Sequence, residues 1–479
     1  MQAVLQIASL AVLARLVEPR EFGLLAAAMI AINFSAIFTQ LGVAPAVVRQ
    51  PDLHRDHIRS AFAISLYIGG AFALILILIA PLVGALLRLE VTSILRALSA
   101  LFVVQAFGTI AEALLQRELR FRQLAIIDVS SYALGFGVIA ISLALHGYGV
   151  WALVWGQICQ ALLKTSLLSI ARPHVRGLGL HRGSVAELLN FGAGFTLAKL
   201  FNFAAVQGDN AVVARWLGPA SLGLYSQAYQ FIVMPANLFG AVLDRVLFPA
   251  MAVVQGEPAR LASAYVRSVS MSVTVTAPVA IAVFVLAPEM VGLLLGVNWL
   301  PVVGPLQVLA LGLVFRTAYK MSDSLTRATG AVYRRAWRQA IYAGAVILGS
   351  LVGQRWGIVG VAWGVTIAIT LNYALMAHLS LTLAPIGLPR FLAAHTAAVV
   401  LALVCGIPAY ALAEALRHHG LGDLMIIVTT LCVEALLIAT IIALCPRVLL
   451  GGNAGSWKTI LGHLKGKRVA AAGVTQNGS

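Results

Sequence analysis

Charge is scarce in this chain. Only 10% of its 479 residues are Asp, Glu, Lys or Arg, while 61% are hydrophobic, against roughly 45–50% in ordinary soluble domains. That imbalance excludes a soluble globular protein. Acidic residues are scarcer still, 17 against 33 basic ones, which leaves a formal net charge of +16. The basic residues do not gather on one soluble face, as nucleic-acid binding requires. They recur in small groups between apolar segments, the distribution that fixes membrane topology, so no nucleic-acid partner is expected. Cysteine is nearly absent. Cys159, Cys405, Cys432 and Cys445 lie in apolar stretches without paired spacing and read as packing residues. No polar stretch is long enough for a separate soluble domain. The opening residues Met1 to Val17 lack a basic n-region and a small-residue cleavage site, so no removable signal peptide is expected. Catalytic constellations are missing as well: the histidines lie mostly in loops, and there is no HExxH, Walker-type or GxSxG motif. The chain is therefore not expected to be an enzyme, and no cofactor or metal is expected. Any active transport must draw on a gradient or on removal of product.

What is present is a succession of apolar runs. At about 20 residues per span, they predict an all-α polytopic membrane protein with about fourteen transmembrane helices. The expected organisation is an N-terminal lobe over 1–170, a cytoplasmic inter-lobe loop over 171–187, a C-terminal lobe over 188–380, two additional helices over 391–446, and a basic, Gly-rich tail over 447–479. Numbering the loops in order puts Arg49, Arg55 and Arg59, then Arg117, Arg120 and Arg122, then Arg172, Arg176 and Arg182, and later Arg327, Arg334, Arg335 and Arg338 on one side. The positive-inside rule makes that side, and the C-terminus with it, cytoplasmic at a bacterial inner membrane. The first span is short. Fourteen residues precede Arg15, about 21 Å of helix against a hydrocarbon core near 30 Å. The expectation is that the chain begins inside this span, or that the helix does not cross fully.

The sequence is internally duplicated. An offset of 200 lays Ala11, Val12, Ala14, Arg15, Pro19, Gly23 and Leu24 on Ala211, Val212, Ala214, Arg215, Pro219, Gly223 and Leu224. Further on, an offset of 208 pairs Phe107 with Phe315, Tyr148-Gly149 with Trp356-Gly357, and Trp155-Gly156 with Trp363-Gly364. Six spans per copy give both copies the same orientation. They predict two six-helix lobes related by a parallel pseudo-two-fold repeat, a transporter architecture with the substrate path between the halves. The two C-terminal helices fall outside both copies.

Ionisable residues deep in spans are costly and are functional candidates by default. Here they are Glu112, Asp128, Lys164, Lys199, Asp209, Asp244, Arg245, Arg316, Lys320, Asp323 and Glu434. Lys164 and Asp323 lie near span ends, where reaching the interface is the simpler reading. Glu434 reads as a structural contact with a neighbouring helix. Lys199, Asn202, Asn210 and, less closely, Asp209 share a broad helical face that should line a wet cavity. Arg316 and Lys320 are four apart, where two positive charges repel unless an anion lies between them. The substrate-path candidates are thus Lys199, Arg245, Arg316, Lys320 and Asn202, against the alternative of local ion pairing. A mainly cationic lumen suits an anionic cargo such as a diphosphate. Asp209 and Asp128 are the candidates for ion coupling, with a Lys–Asp pair on one helix as the competing account of Asp209.

Several short segments carry a resemblance. Leu13-Ala14-Arg15-Leu16 with Pro19, Phe22-Gly23-Leu24, Leu115-Gln116-Arg117-Glu118-Leu119-Arg120-Phe121, Arg245-Val246-Leu247-Phe248-Pro249-Ala250, and Asn298-Trp299 followed by Pro305-Leu306-Gln307 resemble Wzx-type polysaccharide and O-antigen flippases of the colanic-acid and xanthan branch. These belong to the multidrug/oligosaccharidyl-lipid/polysaccharide exporter superfamily. The resemblance covers most of the chain and departs at the short N-terminus, where the family has a complete first helix. It implies a two-lobed helical fold, alternating access, and export of an undecaprenyl-diphosphate-linked repeat unit to the periplasmic leaflet. The implied partners are the lipid-linked oligosaccharide, membrane lipids, and a polysaccharide polymerase with its chain-length regulator. Rival readings are a lipid II flippase or a multidrug exporter, and, from another class, a membrane polymerase or glycosyltransferase. The last would need a sizeable extramembrane loop, and drug exporters favour acidic residues for organic cations.

Overall fold

The computed structural model describes residues 2–39, 43–49, 53–175, 177–179, 193–254 and 256–444, and every regular element among them is helical. The first repeat comprises α1 (Gln2–Leu16), α2 (Pro19–Thr39), the short α3 (Val43–Arg49), α4 (Arg55–Leu87), α5 (Thr92–Leu98), α6 (Ala100–Arg117), α7 (Phe121–Tyr132), α8 (Ile141–Leu145) and α9 (Val150–Ala171); a π-helical stretch, Ala133–Ala140, joins α7 to α8. The second holds α10 (Ala193–Val253), α11 (Pro258–Leu294), a 3-10 turn at Val297–Val302, α12 (Val303–Ala328), α13 (Val332–Gly353) and α14 (Gly357–Leu383). The short α15 (Leu388–Ala393), then α16 (Thr396–His418) and α17 (Asp423–Leu444), follow. The expected tail over 447–479 and most of the inter-lobe loop lie outside the described residues.

Ten stretches among the described residues are long and apolar enough to cross a membrane, against the expected fourteen or so. The difference arises in three places. Tyr333–Leu383 is one continuous stretch holding two helices, α13 and α14, on either side of the turn Gln354–Trp356. The 61-residue α10 is interrupted at Gly218, whose φ of 84° and ψ of 178° break the helix. Only glycine adopts that conformation without strain. Pro219 then starts the next helical run, as Pro19 starts α2, because a proline at the first helical position loses no hydrogen bond. Finally, α1 has 15 residues, about 22 Å at 1.5 Å each.

Packing divides the chain into two compact units, the first drawn from Met1–Val233, Met290–Leu309 and Ala336–Asn372. Its helices are sorted by lipid. On α4, Leu74, Leu78, Leu82 and Leu86 repeat every four residues and stay exposed, while Gly69, Ala73, Ala80 and Gly84 are buried. With hydrocarbon outside, no hydrophobic driving force separates these faces. Small residues inside let backbones approach and gain dispersion contacts. The tightest approach is made by the duplicated segments themselves. A Cβ at Gly23 would lie 1.7 Å from the Pro219 carbonyl oxygen, and one at Gly223 would lie 1.8 Å from that of Pro19. The contact is reciprocal between positions 200 apart, which is what a pseudo-two-fold relation between the repeats requires where its axis passes.

The second unit is drawn from Met234–Glu289, Ala310–Arg335 and Tyr373–Ser479. Its core gathers buried Tyr265, Val269, Val273, Met321, Leu325 and Phe391. Two pairs of hydroxyls are bonded inside it, Tyr265 Oη with Ser322 Oγ at 2.8 Å and Thr276 Oγ1 with Thr317 Oγ1 at 3.0 Å. Arg417 near the end of α16 forks onto Glu289 of α11, with Nε–Oε1 at 2.6 Å and Nη2–Oε2 at 3.0 Å. Asp323 accepts from Arg327, at 3.2 Å, and from Arg335, close to the end of α12.

Candidate functional site

A cavity of about 500 Å³ opens in the first unit between α4, α6 and α9. Its polar wall comes from two helical stripes. On α6 the residues are Gln105, Thr109, Glu112 and Gln116; on α9 they are Gln157, Gln160, Lys164 and Thr165. Offsets of three, four, seven, eight and eleven residues return to one helix face, so the stripe runs ~16 Å along α6 and ~12 Å along α9. The two helices come together through Gly108, where a Cβ would lie 3.1 Å from Thr165 Oγ1, and through a hydrogen bond from Thr165 Oγ1 to the Val104 carbonyl at 3.1 Å.

At one end of this wall Lys164 is held between two carboxylates, its Nζ 3.3 Å from Glu112 Oε1 and 3.0 Å from Asp128 Oδ1 of α7. Three helices thus converge on one ammonium. Lys164 meets these acids rather than reaching for the interface. The three side chains are each about one-third exposed, and Glu112 and Lys164 line the cavity. Fully ionised, the triad carries one net negative charge. Glu112 Oε2 and Asp128 Oδ2, and the amides of the four glutamines, have no hydrogen-bond partner among the described residues. Amides and carboxylate oxygens set in this way can hold groups that both donate and accept. Among the described residues, no group of three or more His, Cys, Asp or Glu could hold a metal ion.

The other candidates fall elsewhere. Asp209 is buried on α10, accepting from Tyr225 Oη at 2.9 Å and from the Asn210 backbone at 2.8 Å, while the Asn210 amide donates to Gln207 at 2.9 Å. Asn202, on the same helix, is exposed. Lys320 of α12 donates to the Ala236 carbonyl at 3.0 Å and to Asn237 Oδ1 at 3.3 Å, tying α12 to α10. Arg316, one turn earlier, is half-buried. Lys199 and Arg245 lie on the α10 backbone; their side chains are outside the described residues. Glu434 is buried beside Cys405 of α16, and neither carboxyl oxygen has a hydrogen-bond partner among the described residues.

Sequence similarity places this geometry. The profile of the family described as "Polysaccharide biosynthesis protein" matches residues 12–304, more than half of the chain. The chain belongs to that family. It is similar to the lipopolysaccharide biosynthesis protein WzxC of Escherichia coli (strain K12), 25% identical over 375 residues, covering 77% of this chain and 75% of that protein. It is also similar to the succinoglycan biosynthesis transport protein ExoT of Rhizobium meliloti (strain 1021), 30% identical over 296 residues, covering 62% and 60% respectively. Among solved structures, the lipid II flippase MurJ in an inward closed conformation matches with a TM-score of 0.73 at 14% identity, covering 92% of this chain and 97% of that one. That likeness shows the fold, a polytopic bundle of helices.

In this polysaccharide biosynthesis protein several residues of the segments that carry the family resemblance are structural fastenings. Arg15 donates to the Leu293 carbonyl at 2.7 Å, satisfying an orphan acceptor at the end of α11. Trp299 is fully buried, donates from Nε1 to the Ala14 carbonyl at 2.7 Å, and takes Phe22 edge-on at 5.2 Å. Arg117 donates to the Val47 and Val48 carbonyls of α3, and Glu118 joins Arg172 at 2.6 Å to Arg120 at 3.1 Å. The glutamine stripes, by contrast, escape a search confined to ionisable residues. Their signal in the sequence is the helical spacing of neutral polar side chains within apolar spans.

Proposed function

We propose that this protein carries lipid-linked oligosaccharide repeat units across the bacterial inner membrane, from the cytoplasmic to the periplasmic leaflet, for exopolysaccharide or O-antigen synthesis. The observation that carries the reading is the polar seam of α6 and α9, built into apolar spans of a chain from a polysaccharide biosynthesis family. A transporter needs such a wetted surface for hydroxyl-rich cargo, and hydrocarbon-facing helices do not otherwise retain it. On this reading the two lobes, 1–170 and 188–380, alternate access to the two leaflets, with the C-terminus cytoplasmic. Lys199, Arg245, Arg316 and Lys320 attract the carrier's diphosphate, assisted by Asn202, while Asp209 and Asp128 are the coupling candidates. A polymerase and a chain-length regulator receive the exported unit.

The test is export itself. Lys199→Ala, Arg245→Ala, Arg316→Ala and Lys320→Ala should each lower polymer secreted by a host lacking its own chain, with folded protein present at the wild-type level. Normal export by all four variants defeats the cationic path.

A further inference from the structure

The second repeat offers an internal control on the glutamine seam. The 208-residue offset that pairs Phe107 with Phe315 also sets Gln105, Gln157 and Gln160 on Leu313, Val365 and Ala368, each of them buried. Helices of this design therefore form without glutamine at these positions, so the amides of the first repeat are not required for packing. The same offset sets Glu112 on Lys320: one place in the repeat carries a negative charge in the first copy and a positive charge in the second.

We propose that the α6–α9 seam is a subsite for uncharged, hydroxyl-bearing sugar rings and that it discriminates against uronates and other anionic rings. The inference rests on the export reading above and names the part of the cargo that this seam meets. A sugar hydroxyl donates and accepts at once, and so does a primary amide. The open oxygen of Glu112 accepts hydroxyl protons in charge-assisted bonds, which are stronger than neutral ones. An anionic ring meets the opposite situation. The charged residues of the cavity wall are Glu112 and Lys164, and Lys164 is already engaged by two carboxylates. A third carboxylate would enter a site of net negative charge in partly desolvated surroundings, where repulsion is little screened.

The experiment reads binding without transport. Purified full-length protein in detergent is probed by saturation-transfer NMR with gluco-, galacto- and manno-tetraoses and with the matching uronate tetramers. At least one neutral series should show saturation transfer, with every uronate at least tenfold weaker. Gln157→Val combined with Gln160→Ala, the residues that the second repeat carries, should abolish the neutral signal. Should that pair fail to fold, Gln105→Leu serves the same purpose. Glu112→Gln, which keeps the shape and removes a negative charge, should narrow the gap between neutral and anionic probes. Silence from all the neutral probes, uronates binding as well as neutral tetramers, or a signal indifferent to these substitutions would overturn the subsite. Any of these with export intact sinks this inference alone, whereas sugar binding without export in the complemented host sinks the export reading.

Discussion

Replacing Gly223 with alanine should unsettle the point where the two repeats touch. The new Cβ would sit 1.8 Å from the Pro19 carbonyl oxygen, where real Cβ contacts hold at least 3.0 Å, so the backbones must part by more than an ångström. Gly23→Ala makes the mirror demand on Pro219, at 1.7 Å. Overpacking of this kind costs about 1–3 kcal/mol, and sometimes more when backbone must move. We expect the upper half of that range, because the obstructing atom is a carbonyl oxygen at a helix start and no side chain can rotate away. The pair is also coupled. Separation forced by one alanine makes room for the other, so the double variant should fall short of the summed single costs by about 1–2 kcal/mol, within the range for contacting residues. Gly70 and Gly344 supply the controls: a Cβ at either meets nothing within 4 Å, and alanine there should stabilise its helix by about 0.5–1 kcal/mol. Equilibrium unfolding in mixed SDS–detergent micelles, followed by far-UV circular dichroism, measures all five variants. Strictly additive costs, or a Gly223→Ala protein as stable as Gly70→Ala, would refute a reciprocal contact.

The same assay reaches the second unit. Arg417→Ala strands the carboxylate of Glu289, which is only 3% exposed, and should cost about 3–5 kcal/mol; adding Glu289→Leu should recover a large part, and no recovery would mean that the fork matters only as packing. Glu434→Leu should raise stability by about 1–3 kcal/mol, since it removes a buried carboxyl whose two oxygens find no partner among the described residues. A loss of stability of similar size would show that Glu434 has a partner in the bilayer.

Much of the architecture was legible because membranes simplify the code. Apolar runs of span length, basic loops and a 200-residue offset led to a helical, duplicated chain, and the offset reappears in space as Gly23 against Gly223. Span number is less direct to count in the fold, since α10 holds two helical runs that meet at Gly218 and α1 ends at 15 residues. The site was less legible than the fold. Spacing along one helix relates Arg316 to Lys320 but cannot bring Glu112, Asp128 and Lys164 together from three helices. Glu434 read as a structural contact; the fold places it beside Cys405 with its hydrogen-bonding capacity unused. Asp209 is bonded to Tyr225, a neutral partner that a search for opposite charges passes over.

The indole of Trp299 closes on the Ala14 carbonyl across 285 residues of chain. During synthesis at about 5–20 residues per second, the first helix emerges on the order of 15 to 60 s before its latch exists. Over that interval it must persist in the lipid on its own apolar surface and on whatever neighbours the first repeat has already supplied. The latch therefore belongs to the last stage of assembly. A substitution at Trp299 would leave early insertion untouched and appear instead as chains that insert fully but remain open to protease near Arg15.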